Sequence, residues 1–278
     1  TFLKTITSFE PLPEKIHATL IDLLKTYYFV GGMPEPVATY LAGNQLHEVR
    51  EVQLELLKTY ALDYSKHAPA IDVPKITLIW ESIPVQLARE NKKFVFSTVV
   101  KNARGREYEN AVQWLIDAGL VLQSLCVKKI EHPLAGFTDS SSFKLYGLDI
   151  GLLGAMARIP EDMVSKGHTL FQTWHGAFVE NYIAQQLTPL LNQKLHYWKS
   201  ETHQAEIDFI ISGDMDIYPL EVKAGINPKS KSLLSYYNRF QPKLLLRTTL
   251  LNLKHNGNIL NIPLYAIENL LMYIHLGL

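Results

Sequence analysis

Apolar residues recur at helical spacing from the start of the chain: Ile16, Leu20, Leu23, Leu24 and Tyr27 fall at i, i+4, i+7, i+8 and i+11, one stripe of a 3.6-residue repeat. The helix they predict ends near Gly31-Gly32. Pro34 and Pro36 open a shorter helix through Leu41, and Leu46 to Tyr64 reads as a third, with Val49, Val52, Leu56, Leu57 and Tyr60 along one side. From Lys75 the rhythm changes. An amphipathic helix is expected over Ile76 to Glu90, a short one near Ser97 to Ala103, and a longer one from Arg106 to Ala118 that Gly119 terminates. Two strand-like runs follow, Leu120 to Lys129 and Ser142 to Leu148, separated by a polar loop with Pro and Gly. Three helices and a hairpin is winged-helix order.

The polar stretch Glu161 to His168 reads as a linker, and beyond it the texture becomes α/β. A helix over Phe171 to Leu190 is followed by strands at Leu195 to Trp198, Glu206 to Ile211 and Ile217 to Lys223. Then come a helix at Ser232 to Phe240, a strand at Lys243 to Thr248 and a closing helix at Ile267 to Leu276. The pattern predicts a multidomain α+β protein: a helical segment over 1–70, a winged-helix-like domain over 71–160 and an α/β domain over 161–278.

Composition narrows this little. Lys plus Arg and Asp plus Glu are equal at 27 each, so any attraction to nucleic acid must come from a local patch. The most basic stretch is Arg89, Lys92, Lys93, Lys101, Arg104 and Arg106, on or before the third winged-helix helix, the element that enters the DNA major groove in such folds. Its bland meaning, solvated charge on a protein-contact or spacer module, stays open. The single cysteine, Cys126, sits in an apolar run and excludes an intrachain disulfide or a Cys-based zinc site; a reducing, cytoplasmic setting fits. No apolar run approaches the roughly 20 residues that span a bilayer. The chain opens at Thr1 with no methionine before Met33, which suggests a piece of a longer protein.

Along Glu206-Ile207-Asp208-Phe209-Ile210-Ile211, strand alternation turns Asp208 away from three large apolar residues. Ser212-Gly213-Asp214 supplies hairpin chemistry and the chain returns as Ile217 to Lys223, with Glu221 and Lys223 on one face. If the two strands pair, Asp208 and Glu221 converge with Lys223 beside them. Two carboxylates and a backbone carbonyl suit Mg²⁺, and a lysine ammonium can orient a water or offset charge on a phosphate. Pro219 cannot donate to a ladder, so its strand either lies at an edge or begins at Leu220.

Phe178 to Tyr182, Tyr197 to Lys199, Ala205 to Phe209 and Pro219 to Gly225, with Gly31 to Val37, Asp63 to Lys66 and Leu148 to Leu153 before them, resemble the C-terminal part of a bacterial AAA-type ATPase family. The resemblance implies a PD-(D/E)XK, restriction-endonuclease-like domain with Asp208, Glu221 and Lys223 in the named positions and Glu180 as accessory carboxylate. Asp208, Glu221 and Glu180 would then hold Mg²⁺. It also implies an upstream P-loop ATPase that would bind the ATP, for no Walker A sequence occurs here and Gly31-Gly32 reads as a helix terminus.

Glu180 is flanked at i−4 and i+4 by Gly176 and Ala184, which leave space for a metal or phosphate; the alternative is a helix-surface carboxylate. Lys229 and Lys231, with Ser230 and Ser232, could grip a phosphate at a helix N-terminus, or merely cap it. His168, His175, His196 and His203 share no metal-ligand spacing and read as surface or linker residues. The expected function is Mg²⁺-dependent DNA processing; the alternatives are a non-catalytic nucleic-acid-binding or regulatory module of the ATPase, and a protein-interaction piece.

Overall fold

The computed structural model describes residues 10–43, 45–161, 175–202, 205–213, 215–225 and 230–276. It is a mixed α+β protein whose N-terminal part is helical and whose C-terminal part carries two mixed sheets. The helical part comprises α1 (Glu14–Val30), α2 (Pro34–Gly43), α3 (Leu46–His67), α4 (Val73–Leu87), α5 (Phe96–Val99) and α6 (Glu109–Asp117). Next come β1 (Val121–Val127), β2 (Thr138–Gly147), α7 (Ile150–Met156) and α8 (His175–Leu191). The rest holds β3 (Leu195–Lys199), β4 (Glu206–Ile207), β5 (Phe209–Ser212), β6 (Ile217–Val222), α9 (Lys231–Phe240), β7 (Leu245–Thr249), β8 (Lys254–Asn256), β9 (Ile259–Pro263) and α10 (Leu270–Leu276). Among the described residues no helix is long and apolar enough to cross a membrane.

The chain forms two compact units that alternate along the sequence: residues 1–24, 124–143 and 186–278 make one, and residues 25–123 and 144–185 the other. In the second, α1 ends at Gly31, whose φ of +76° is the left-handed geometry of a helix C-terminus. Asp149 caps α7 by accepting from the Leu152 N–H at 3.0 Å, and its other oxygen accepts from the Gly32 N–H at 2.7 Å. Gln185 on α8 joins them through Asp149 and the Tyr27 hydroxyl. The Gly31-Gly32, Leu148-Asp149 and α8 segments that carry the family resemblance thus meet at one polar junction.

One sheet runs β2-β1-β3-β4 and the other β5-β6-β7-β9-β8. β1 pairs with β3 in parallel, Cys126 opposite Tyr197, so the expected wing strands extend the sheet of the C-terminal region. The single strand expected over Glu206 to Ile211 is two. Ile207 pairs with Trp198 in the first sheet, whereas Phe209 pairs with Leu220 in the second; the chain changes sheets at Asp208. α9 lays Leu233 and Tyr236 on a core with Trp198, Ile207, Ile210 and Leu245, and Tyr236 meets the Trp198 ring edge-on at 5.3 Å. The β8–β9 hairpin was not expected: Lys254 to Asn256 is exposed and has no apolar alternation to betray a strand. His196 corrects the reading of it as a surface residue. β3 lies between β1 and β4, and the imidazole is only 7% exposed.

Candidate functional site

The hairpin is closed by the Gly213 N–H donating to the Asp216 carbonyl at 2.9 Å. Phe209 opposes Leu220 and Ser212 opposes Ile217, so Asp208 stands one residue before the β5 ladder and Glu221 one residue past its last partner on β6. Antiparallel ladders alternate wide and narrow pairs, and counting from the closing bond makes Ser212 and Ile217 a narrow pair. Ile210 and Pro219 form another such pair, so the Pro219 nitrogen faces β7. The ladder to β7 begins only at Leu220, and the proline forfeits no bond on that side.

Asp208 has a second task. Ile207 has turned away to its own sheet, and where its carbonyl would have continued the ladder the Asp208 carboxylate stands instead, Oδ2 accepting from the Val222 N–H at 2.8 Å. Glu221 is 3% exposed. Lys223 Nζ lies 2.5 Å from its Oε1, and the parallel register places Arg247 on β7 beside it and Asn261 on β9 beyond. Burial lowers the Arg247 pKa while the Glu221 charge draws it back up. Arg247 Nε donates to Asn261 Oδ1 at 3.1 Å, Thr249 donates to the same oxygen, and the Asn261 amide donates to the Asn252 carbonyl. Glu221 thus opens a buried polar row across three parallel strands. Arg247 and Asn261 were not singled out in the sequence. The available signal was a charged residue within the apolar run Leu244 to Thr248, but its strand neighbours cannot be read from one sequence.

Glu180 belongs to the other unit. Its Oε1 accepts from Lys144 Nζ at 2.8 Å and from the Tyr146 hydroxyl at 2.6 Å, and its Oε2 binds the Lys92 ammonium. Burial pushes its pKa up, but the Lys144 and Lys92 charges outweigh burial and bring it down to about 2. The space beside Gly176 is filled by Lys92: a Cβ there would lie 2.9 Å from Nζ. Lys92 accordingly turns inward, out of the expected basic face. Lys93 is half-buried, while Lys101, Arg104 and Arg106 are exposed around the connection from α5 to α6. Lys231 is exposed on the first turn of α9, where Ser230 makes no side-chain cap; Lys229 lies outside the described residues, as do His168 and His203.

Among the described residues no group of three or more His, Cys, Asp or Glu could hold a metal ion. Asp208 and Glu221 are carboxylates of the type Mg²⁺ takes, one or two at a time alongside several waters. The class these elements define is a mixed α+β protein with a helical N-terminal part and two mixed sheets, the chain passing from one sheet to the other at Asp208. The chain belongs to the family described as a domain of unknown function (DUF8612), which matches residues 21–163. Residues 175–267 match a second domain of unknown function (DUF4143), which belongs to an AAA-ATPase-associated family. No curated protein and no solved structure matches the chain.

Proposed function

We propose that this chain is the DNA-processing, PD-(D/E)XK-type part of an AAA ATPase, with Asp208 and Glu221 holding Mg²⁺ and Lys223 serving the phosphodiester. What supports the reading is that Asp208 and Glu221 flank the end of the β5–β6 ladder within one hairpin, with Lys223 Nζ 2.5 Å from Glu221 Oε1. Mg²⁺ would supply Lewis-acid stabilisation of phosphate charge and a water of lowered pKa. Asp208 would bring a carboxylate that the Val222 N–H holds in place. Lys223, half-exposed at the strand end, leaves Glu221 for a phosphate oxygen when DNA arrives, and Lys101, Arg104 and Arg106 supply backbone contacts through a winged-helix-like arrangement. ATP would be bound by an upstream domain of the parent protein.

One observation favours a second reading, a regulatory nucleic-acid-binding module without turnover: Asp208 Oδ2 is occupied by a backbone amide, and Glu221 is already compensated by Lys223 and Arg247. The two are separated by assaying linear, single-stranded and branched DNA with Mg²⁺ or Mn²⁺, using Asp208→Asn, which keeps an acceptor for Val222, and Lys223→Met. Cleavage abolished in both variants, with their melting temperatures unchanged, supports the nuclease. No cleavage of any substrate, with salt-sensitive DNA binding equal in all three proteins, refutes it in favour of the second reading.

A further inference from the structure

The far end of β5, at Ser212, borders a cleft of about 320 Å³. Asp208 lies four residues away along the chain, roughly 13 Å at strand rise, so the cleft is a different place from the carboxylate site and nothing about it rests on the nuclease reading. Leu125, Leu134 and Pro133 give it an apolar floor, and Lys194, His132 and Ser212 stand on its rim. His132 Nδ1 is 3.4 Å from the Ser212 hydroxyl. Among the described residues no carboxylate side chain lines it. His196, on β3 next to Leu125 of β1, also lines the cleft. It is more than nine-tenths buried, and among the described residues its Nε2 has no hydrogen-bond partner. A buried polar atom in that condition calls for a partner, a water or a bound group supplying it. Burial and the nearby Lys194 charge lower the His196 pKa, so the ring stays neutral at neutral pH and offers one specific hydrogen bond rather than a charge.

We propose that this cleft binds a small amphipathic anion: an aromatic or aliphatic body on Leu125 and Leu134, a single phosphate or carboxylate head between Lys194 and His132, and a hydrogen bond to His196 Nε2. The size suits a ligand at the small end of the usual pocket range, and the Lys194 ammonium, with no carboxylate side chain among the described lining residues, selects an anion. Phenyl phosphate and benzoate, titrated into the full chain, distinguish the two head groups. The readout is the imidazole nitrogen signals of His196 in histidine-labelled protein, assigned by their loss in His196→Phe. A saturable shift with either probe is expected, weakened at least about tenfold, or roughly 1.4 kcal/mol, by Lys194→Glu. Lys194 is exposed, so this variant should fold normally, and Asp208→Asn should bind as the parent does. No saturable shift with either probe at millimolar concentration, or equal binding by Lys194→Glu, overturns the proposal.

Discussion

Replacing Glu180 by Gln removes one negative charge from a position that two ammonium groups converge on, and the structure sets the size of the loss. The carboxylate is 1% exposed and the Lys144 side chain is equally buried, whereas Lys92 retains 15% of its surface. Gln keeps a carbonyl oxygen for the Tyr146 hydroxyl, so the hydrogen-bond count changes little and the charge imbalance dominates. Removing one member of a buried ion pair typically costs about 3–5 kcal/mol, because the remaining charge stays buried without its counterion. Lys92 can swing toward water and Lys144 cannot, so the lower half of that range applies. For a protein of this size a 3 kcal/mol loss corresponds to a melting temperature lower by roughly 6–12 °C, measurable by calorimetry. Adding Lys144→Met to Glu180→Gln removes the stranded ammonium and should recover a substantial part of the loss. An unchanged melting temperature in the single variant, or a double variant less stable than the single, refutes the assignment of the cluster as a stabilising ion group. The result also governs how activity data are read: a Glu180 variant that loses DNA cleavage and 10 °C of stability together says nothing about chemistry.

Two further outcomes follow from the same unit. Because the folded-state pKa of Glu180 is lowered to about 2 from an ordinary 4.5, its contribution is complete above the unfolded value and is lost as pH falls toward the folded one. The stability gap between wild type and Glu180→Gln in urea unfolding should therefore close between about pH 4.5 and pH 2, and a gap independent of pH would contradict the sign. Gly31→Ala adds a Cβ at a φ of +76° and 2.2 Å from Asp149 Oδ1, whereas Gly119→Ala at a φ of +69° meets nothing within 4 Å. Chemical denaturation should show Gly119→Ala costing about 1–2 kcal/mol for the left-handed backbone alone, and Gly31→Ala clearly more; equal losses would mean that Asp149 yields at no cost.

Helices in the first half were legible because their apolar stripes are long and their ends carry Gly31 and Gly119, residues with a conformational reason to be there. The β5–β6 hairpin was legible in outline too, since alternation and a Ser-Gly-Asp turn constrain it within a short stretch. What escaped has a common cause. The split at Asp208, the parallel pairing of β1 with β3, and the Glu221, Arg247 and Asn261 row all depend on which distant strand lies alongside, and a strand's own pattern says which face is buried but not by what. Lys92 and Glu180 are 88 residues apart; the first reads alone as part of a basic face and the second as an accessory carboxylate. Only their meeting with Lys144 makes them one interior cluster.

The two family matches end and begin at 163 and 175, which invites cutting the chain there to study each half. The interleaved units argue against it. A piece starting at 175 would present β3 with the edge that Ser124 to Val127 normally cover, a row of open amides prone to pair with another molecule. It would also carry Glu180 without either lysine, while the complementary piece would carry both lysines without their carboxylate. Each half is thus a template for the other, and separately expressed they should be insoluble alone and reassociate when mixed, like a split reporter. Exchanging one half between distant relatives would have to preserve both the strand edge and the ion cluster at once, so the two regions are expected to be inherited as a pair.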